Sequence, residues 1–150
     1  MVKKYVCLLL YICFYLVGCC GDTNPKTISW DGNFYGVKIP QPKGYERALN
    51  IEEKVISKSN NSKATSVYIE GMKFEDYLSY YKTLQSLNGW QEVIRYEEDK
   101  LVNGCGCFGG KYKGLYVMGY YNKDEIKVQE NKKKNPKDGY NFILVVSNDK

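Results

Sequence analysis

An α+β fold is what the sequence predicts: an antiparallel β-sheet with one main amphipathic helix packed on it, preceded by an N-terminal signal helix. Three observations carry that prediction. Short runs alternating apolar and polar residues are separated by clusters of Gly, Asn, Asp and Pro, the pattern of antiparallel strands with one face toward a core. One stretch alone, Phe74, Tyr77, Leu78, Tyr81, Leu84 and Leu87, recurs at steps of three and four and so lays a single apolar stripe along a helix. The chain opens with Lys3 and Lys4 ahead of an uncharged apolar run that stops at Gly18, shorter than the roughly 20 residues a membrane-spanning helix needs.

In chain order, residues 27–30 and 34–39 flank Asp31-Gly32-Asn33, residues that tolerate positive φ, and are expected to pair as a hairpin. Pro40 and Pro42 end any strand there, since neither donates to a ladder. Residues 48–57 and 65–70 read as two antiparallel strands around the turn cluster 59–62. The helix follows, with Glu75 and Asp76 at the positive end of its dipole, Asn88-Gly89 as its stop and Trp90 expected to fold back on its last turn. Residues 91–96 resume as a strand before the charged turn Glu97-Glu98-Asp99-Lys100.

Residues 111–121 read as one strand, with Tyr112, Tyr116, Met118 and Tyr120 toward one face and Leu115, Val117 and Tyr121 toward the other. A strand over 126–130 is expected after the turn at 122–125, and residues 140–147 close the sheet. The middle of that last run is apolar on both sides, Phe142 and Leu144 against Ile143 and Val145, as in a central strand covered on both faces.

The opening stretch has the layout of a secretory signal: a positive start, an apolar middle and a small residue at its end. Leu16-Val17-Gly18-Cys19 resembles the lipobox of bacterial lipoproteins, in which the cysteine thiol receives a diacylglyceryl group and becomes the first mature residue. The resemblance implies lipidation at Cys19, with 1–18 as signal peptide, 19–26 as lipidated cysteine and tether, and 27–150 as a single α+β domain. The alternatives are an ordinary cleaved signal, giving a freely secreted protein, and a short uncleaved anchor. Acyl chains contribute about 0.8 kcal/mol per buried CH₂, so two or more hold a protein at a bilayer where one binds reversibly. Residues 39–45, 71–77 and 88–90 further resemble small bacterial lipoproteins of uncharacterised function; that likeness implies a fold and no activity.

Composition excludes more than it selects. The chain carries +5 overall and loses Lys3 and Lys4 with the signal, too mild a charge to argue for nucleic acid. It contains no histidine, which removes the usual base for Ser or Cys nucleophiles and the commonest zinc and iron ligand. Glu97, Glu98 and Asp99 are adjacent on a turn and diverge, whereas glycoside hydrolysis needs two carboxyls facing each other across a cleft. Asn60-Asn61-Ser62 fits the glycosylation tripeptide, a pattern short enough to arise by chance. Lys132, Lys133, Lys134 and Lys137 form a basic loop that is either a solvated hairpin tip or a contact for anionic headgroups.

Cys105-Gly106-Cys107, in a Gly-rich stretch, is the sharpest local feature: a labile redox pair, half of a soft-metal site, or an inert disulfide or free thiols. The expectation is thus a membrane-anchored extracytoplasmic lipoprotein of the cell envelope, a non-catalytic binding or interaction domain without cofactor or bound metal. Its expected partners are the membrane, through the lipid anchor, and a protein or envelope component, but no nucleic acid. The alternative is a thiol-redox or metal-handling protein using Cys105 and Cys107.

Overall fold

The computed structural model describes residues 26–94 and 105–148. Ten strands and two α-helices follow in order: β1 (Ile28–Ser29), β2 (Asn33–Phe34), β3 (Val37–Lys38), β4 (Arg47–Ala48), β5 (Asn50–Ser57), β6 (Ser62–Ile69), α1 (Phe74–Gln85), β7 (Gln91–Ile94), β8 (Cys105–Tyr112), β9 (Leu115–Asn122), α2 (Glu125–Lys134), a 3₁₀ turn (Pro136–Asp138) and β10 (Phe142–Ser147). The fold is α+β. A six-stranded sheet in the order β5-β6-β10-β9-β8-β7 is antiparallel throughout, and two small two-stranded pairs, β1-β4 and β2-β3, accompany it. Among the described residues no helix is long and apolar enough to cross a membrane.

The pleat sorts every strand into two faces. Phe142, Leu144 and Val146 of β10 are fully buried. Their cross-strand partners, Ile69 and Val67 on β6 and Tyr121 and Val117 on β9, share that face and that burial. α1 covers this face with Tyr77, Tyr80, Tyr81 and Leu84. The contact is aromatic: Tyr77 stacks on Tyr121 at 4.9 Å, and Tyr81 stacks on Phe108 at 4.8 Å with the rings 13° apart. Two glycines make room. A Cβ on Gly119 would lie 2.4 Å from the Phe108 ring, and one on Gly110 would lie 2.2 Å from Trp90.

The helix begins without a capping side chain of its own. Tyr45 substitutes: its hydroxyl accepts from the Lys73 amide at 3.1 Å and donates to Asp76 Oδ2 at 2.7 Å. Asn141 fixes the approach, accepting from the Met72 amide and donating to the Met72 carbonyl. The other half of the covered face, over β5 and β6, lies under the N-terminal pairs, where Trp30 and Phe34 pack and the Tyr35 hydroxyl meets Thr65 Oγ1 at 2.8 Å.

Several expectations are corrected. Residues 27–30 do not pair with 34–39: β1 pairs with β4, Ile28 opposite Ala48, and the hairpin is β2-β3. Asp31-Gly32-Asn33 still turns, but the tight loop is Tyr35-Gly36, both at positive φ as a two-residue hairpin requires. Residues 111–121 are two strands, because Lys113-Gly114, also at positive φ, reverses the chain. Tyr112 consequently faces the core opposite Leu115, away from Tyr116, Met118 and Tyr120, and the Gly-rich stretch before it is strand β8.

Residues 126–130 belong to helix α2. Val128 is its buried residue while Ile126 is 75% exposed, so their alternation reflects no sheet. The helix ends account for the outcome: Asp124 accepts from the Lys127 amide as N-cap, and Lys132, Lys133 and Lys134 occupy the last turn, where the dipole favours cations. The basic loop is therefore a helix end plus Lys137 in the 3₁₀ turn, with Lys132 paired to Glu70. Finally, β10 is central, as its apolarity suggests, but only one of its faces is fully covered: Ile143 and Val145 stay partly open. The turn expected at residues 97–100 lies outside the described residues. The helix stops at Gln85, and Trp90 lies on Gly110 of the sheet.

Gly119→Ala forces the Phe108 ring off its seat and is expected to destabilise the protein by about 1–3 kcal/mol, read as a lowered urea midpoint. Tyr80 is the converse case. Its hydroxyl is buried with no partner among the described residues, and burial pushes its pKa well above the ordinary 10.0. The folded state holds that proton where the unfolded state has lost it, so stability is intact below pH 10 and falls as pH rises beyond it. Tyr80→Phe should leave the melting temperature unchanged or higher at pH 7 and make its decline above pH 10 shallower.

Candidate binding surface

The second face of the sheet is built by the residues that the pleat leaves over. Ile143 and Val145 of β10 stand opposite Tyr120 and Met118 of β9 on one side and Tyr68 and Ser66 of β6 on the other. Tyr120 is in turn opposite Cys107, and Met118 opposite Gly109, on β8. Among the described residues no helix or strand lies over this apolar, tyrosine-rich centre. Charge is confined to its margins, with Lys111 over the Tyr116 ring at 4.6 Å and Glu52 accepting from the Tyr68 hydroxyl at 3.1 Å.

At one end the face deepens into a groove of about 380 Å³. Cys107, Tyr120 and Ile143 form its floor, Tyr140 one wall and Asn131 of α2 its rim. Tyr140 meets Tyr68 edge-on at 4.8 Å, so the groove continues into the open face. Burial, with the Cys107 sulfur beside it, raises the pKa of the Tyr120 phenol. Burial and the hydrogen bond to Glu52 raise that of Tyr68. Both are neutral hydrogen-bonding rings at physiological pH. A larger hollow of about 580 Å³ lies on the covered side between the N-terminal pairs and β5-β6; the Tyr35–Thr65 hydrogen bond crosses it, and it is the seam between two packed layers.

The anticipated residues fare unequally. Cys19 lies outside the described residues. Cys105 opens β8 with its backbone opposite Asn122, and its side chain lies outside the described residues. Cys107 is a half-buried free thiol in the groove floor. Residues two apart on a strand have Cα atoms about 6.6 Å apart, near the upper limit for a disulfide. Among the described residues no three Cys, Asp or Glu side chains converge as metal ligands would. Tyr68, Tyr140 and Ile143 were not singled out as site residues from the sequence. The alternation of Tyr116, Met118 and Tyr120 was legible, but nothing local says whether a face is covered.

Searches of protein-family models, of curated proteins and of solved structures found no match to this chain.

Removing the ring opposite Cys107 should unmask its thiol. Tyr120→Ala is expected to speed maleimide labelling of Cys107 several-fold in the folded full-length chain, read by mass spectrometry of the labelled peptide. An unchanged rate would show that Tyr120 does not shield the groove floor.

Proposed function

We propose that this protein is a membrane-anchored extracytoplasmic lipoprotein whose folded domain is a non-catalytic binding module, taking an apolar, uncharged group on the open sheet face. The address rests on Lys3, Lys4, the apolar run and Leu16-Val17-Gly18-Cys19. One observation carries the binding role: the centre formed by Met118, Tyr120, Ile143 and Val145, which no described helix or strand covers, continuous with the Cys107–Tyr140 groove. Apolar surface with a few convergent hydroxyls and charge only at its margin favours desolvation of an apolar ligand over chemistry on a polar one. The tyrosines add hydrogen-bonding tips to rigid rings, which suits recognition at small entropic cost.

A second reading, thiol-redox or metal handling through Cys105 and Cys107, draws on the half-buried free thiol of Cys107 in the groove. In exchange chemistry the two thiols would reduce a partner disulfide to two thiols and become a disulfide themselves. A Cys107→Ser chain that keeps full binding and function in its host would remove this reading.

Two outcomes test the main proposal. Cys19→Ser should shift the protein from the membrane fraction to the soluble fraction and abolish acyl labelling; retention would refute the anchor. With the uncharged N-phenyl-1-naphthylamine as probe, the full-length protein should enhance fluorescence saturably, and Tyr120→Asp should weaken that binding at least about tenfold. Equal binding by the variant would refute the open face as the site.

A further inference from the structure

Among the described residues the sheet has two free edges, and they differ. β7 is four residues long with an irregular register at Glu92/Ile94. β5 is eight residues long, and none of the other described strands pairs with its outer side. Unpaired strand edges are templates for another strand unless charge or irregularity blunts them. In β5 the irregularity falls at its end, between Val55 and Ser57, which leaves Ile51 to Val55 in regular register with β6.

We propose that β5 pairs antiparallel with β5 of a second copy of this chain, in the register centred on Glu53. Antiparallel pairing of identical strands uses a twofold axis perpendicular to the sheet, so each residue meets one on its own face. Centring on Glu53 places Ile51 against Val55, and Glu52 against Lys54, each twice. The first is an apolar contact for Val55, which is 56% exposed in the protomer. The second sets opposite charges directly across the strands, the favourable cross-strand arrangement. Lys54 has no carboxylate partner within the protomer among the described residues, so it is available for this one.

The two Glu53 side chains on the axis are the obstacle, and the fold already answers it: Lys63 on β6 holds each Glu53 at 2.9 Å. Moving the centre by one residue either way sets Lys54 against Lys54 or Glu52 against Glu52 and loses the complementary pairs. The charges that would ordinarily protect an edge thus select a single register. Pairing joins the two open faces into one surface across a doubled sheet, and it stands whether or not that face binds a ligand.

The test is the mass of the detergent-solubilised full-length chain by light scattering across a dilution series. Wild type should be a dimer that dissociates on dilution. Lys54→Glu, at an exposed position, should weaken dimerisation at least about tenfold by replacing two attractive pairs with two repulsive ones. The double variant Glu52→Lys with Lys54→Glu should recover it, with circular dichroism confirming the fold in each case. A wild type that stays monomeric overturns the proposal. So does a dimer that Lys54→Glu leaves intact, including one broken only by Tyr120→Asp, which would place the interface on the open face.

Discussion

Phe108 lies flat on the backbone of Gly119 beneath the ring of Tyr81, and the rest of the fold depends on that stack. With no Cβ at Gly119 the ring sits close to the sheet, and α1 can then approach with three successive tyrosine contacts instead of one. Tyr77 takes up the other side, touching Phe108, Tyr121 and Phe142. Full burial of each such side chain contributes roughly 1.5–3 kcal/mol, and these rings form the centre of the larger buried cluster that holds α1 to the sheet. Gly110 beneath Trp90 repeats the device one pair along.

The sequence makes the helix and most strands legible, for physical reasons that also mark where reading stops. The stripe of Phe74, Tyr77, Leu78, Tyr81 and Leu84 has a period that only a helix uses, and it forms one, while Leu87 falls just past the helix end at Gln85. Residues 126–130 offer just two apolar side chains two apart, which a strand and a short helix accommodate equally; the Asp124 cap and basic last turn decide. Lys113-Gly114 was hidden because Lys is not an expected left-handed residue, although hairpin twist places it there.

The candidate surface was half legible. Periodicity of two assigns Tyr116, Met118 and Tyr120 to one face, and β10 its two apolar sides, without saying which side a helix will cover. Among the described residues only one long amphipathic helix is present to cover a sheet wide enough for two, and the N-terminal pairs complete the same layer. The apolar residues left on the far side are therefore a consequence of supply: the described chain has no further apolar helix to place there, α2 burying only Val128.

The strand order bears on how the chain assembles. β10, last of the described strands, joins β5-β6 to β7-β8-β9, and without it the two groups share no ladder among the described residues. The hairpins on either side close locally and fast, whereas the final strand must find two partners far back along the chain. Emerging N-terminus first, the polypeptide cannot complete this sheet until β10 arrives. Closure of the six-stranded sheet therefore waits on a single strand, and the two ladders it joins must each hold their register until it docks.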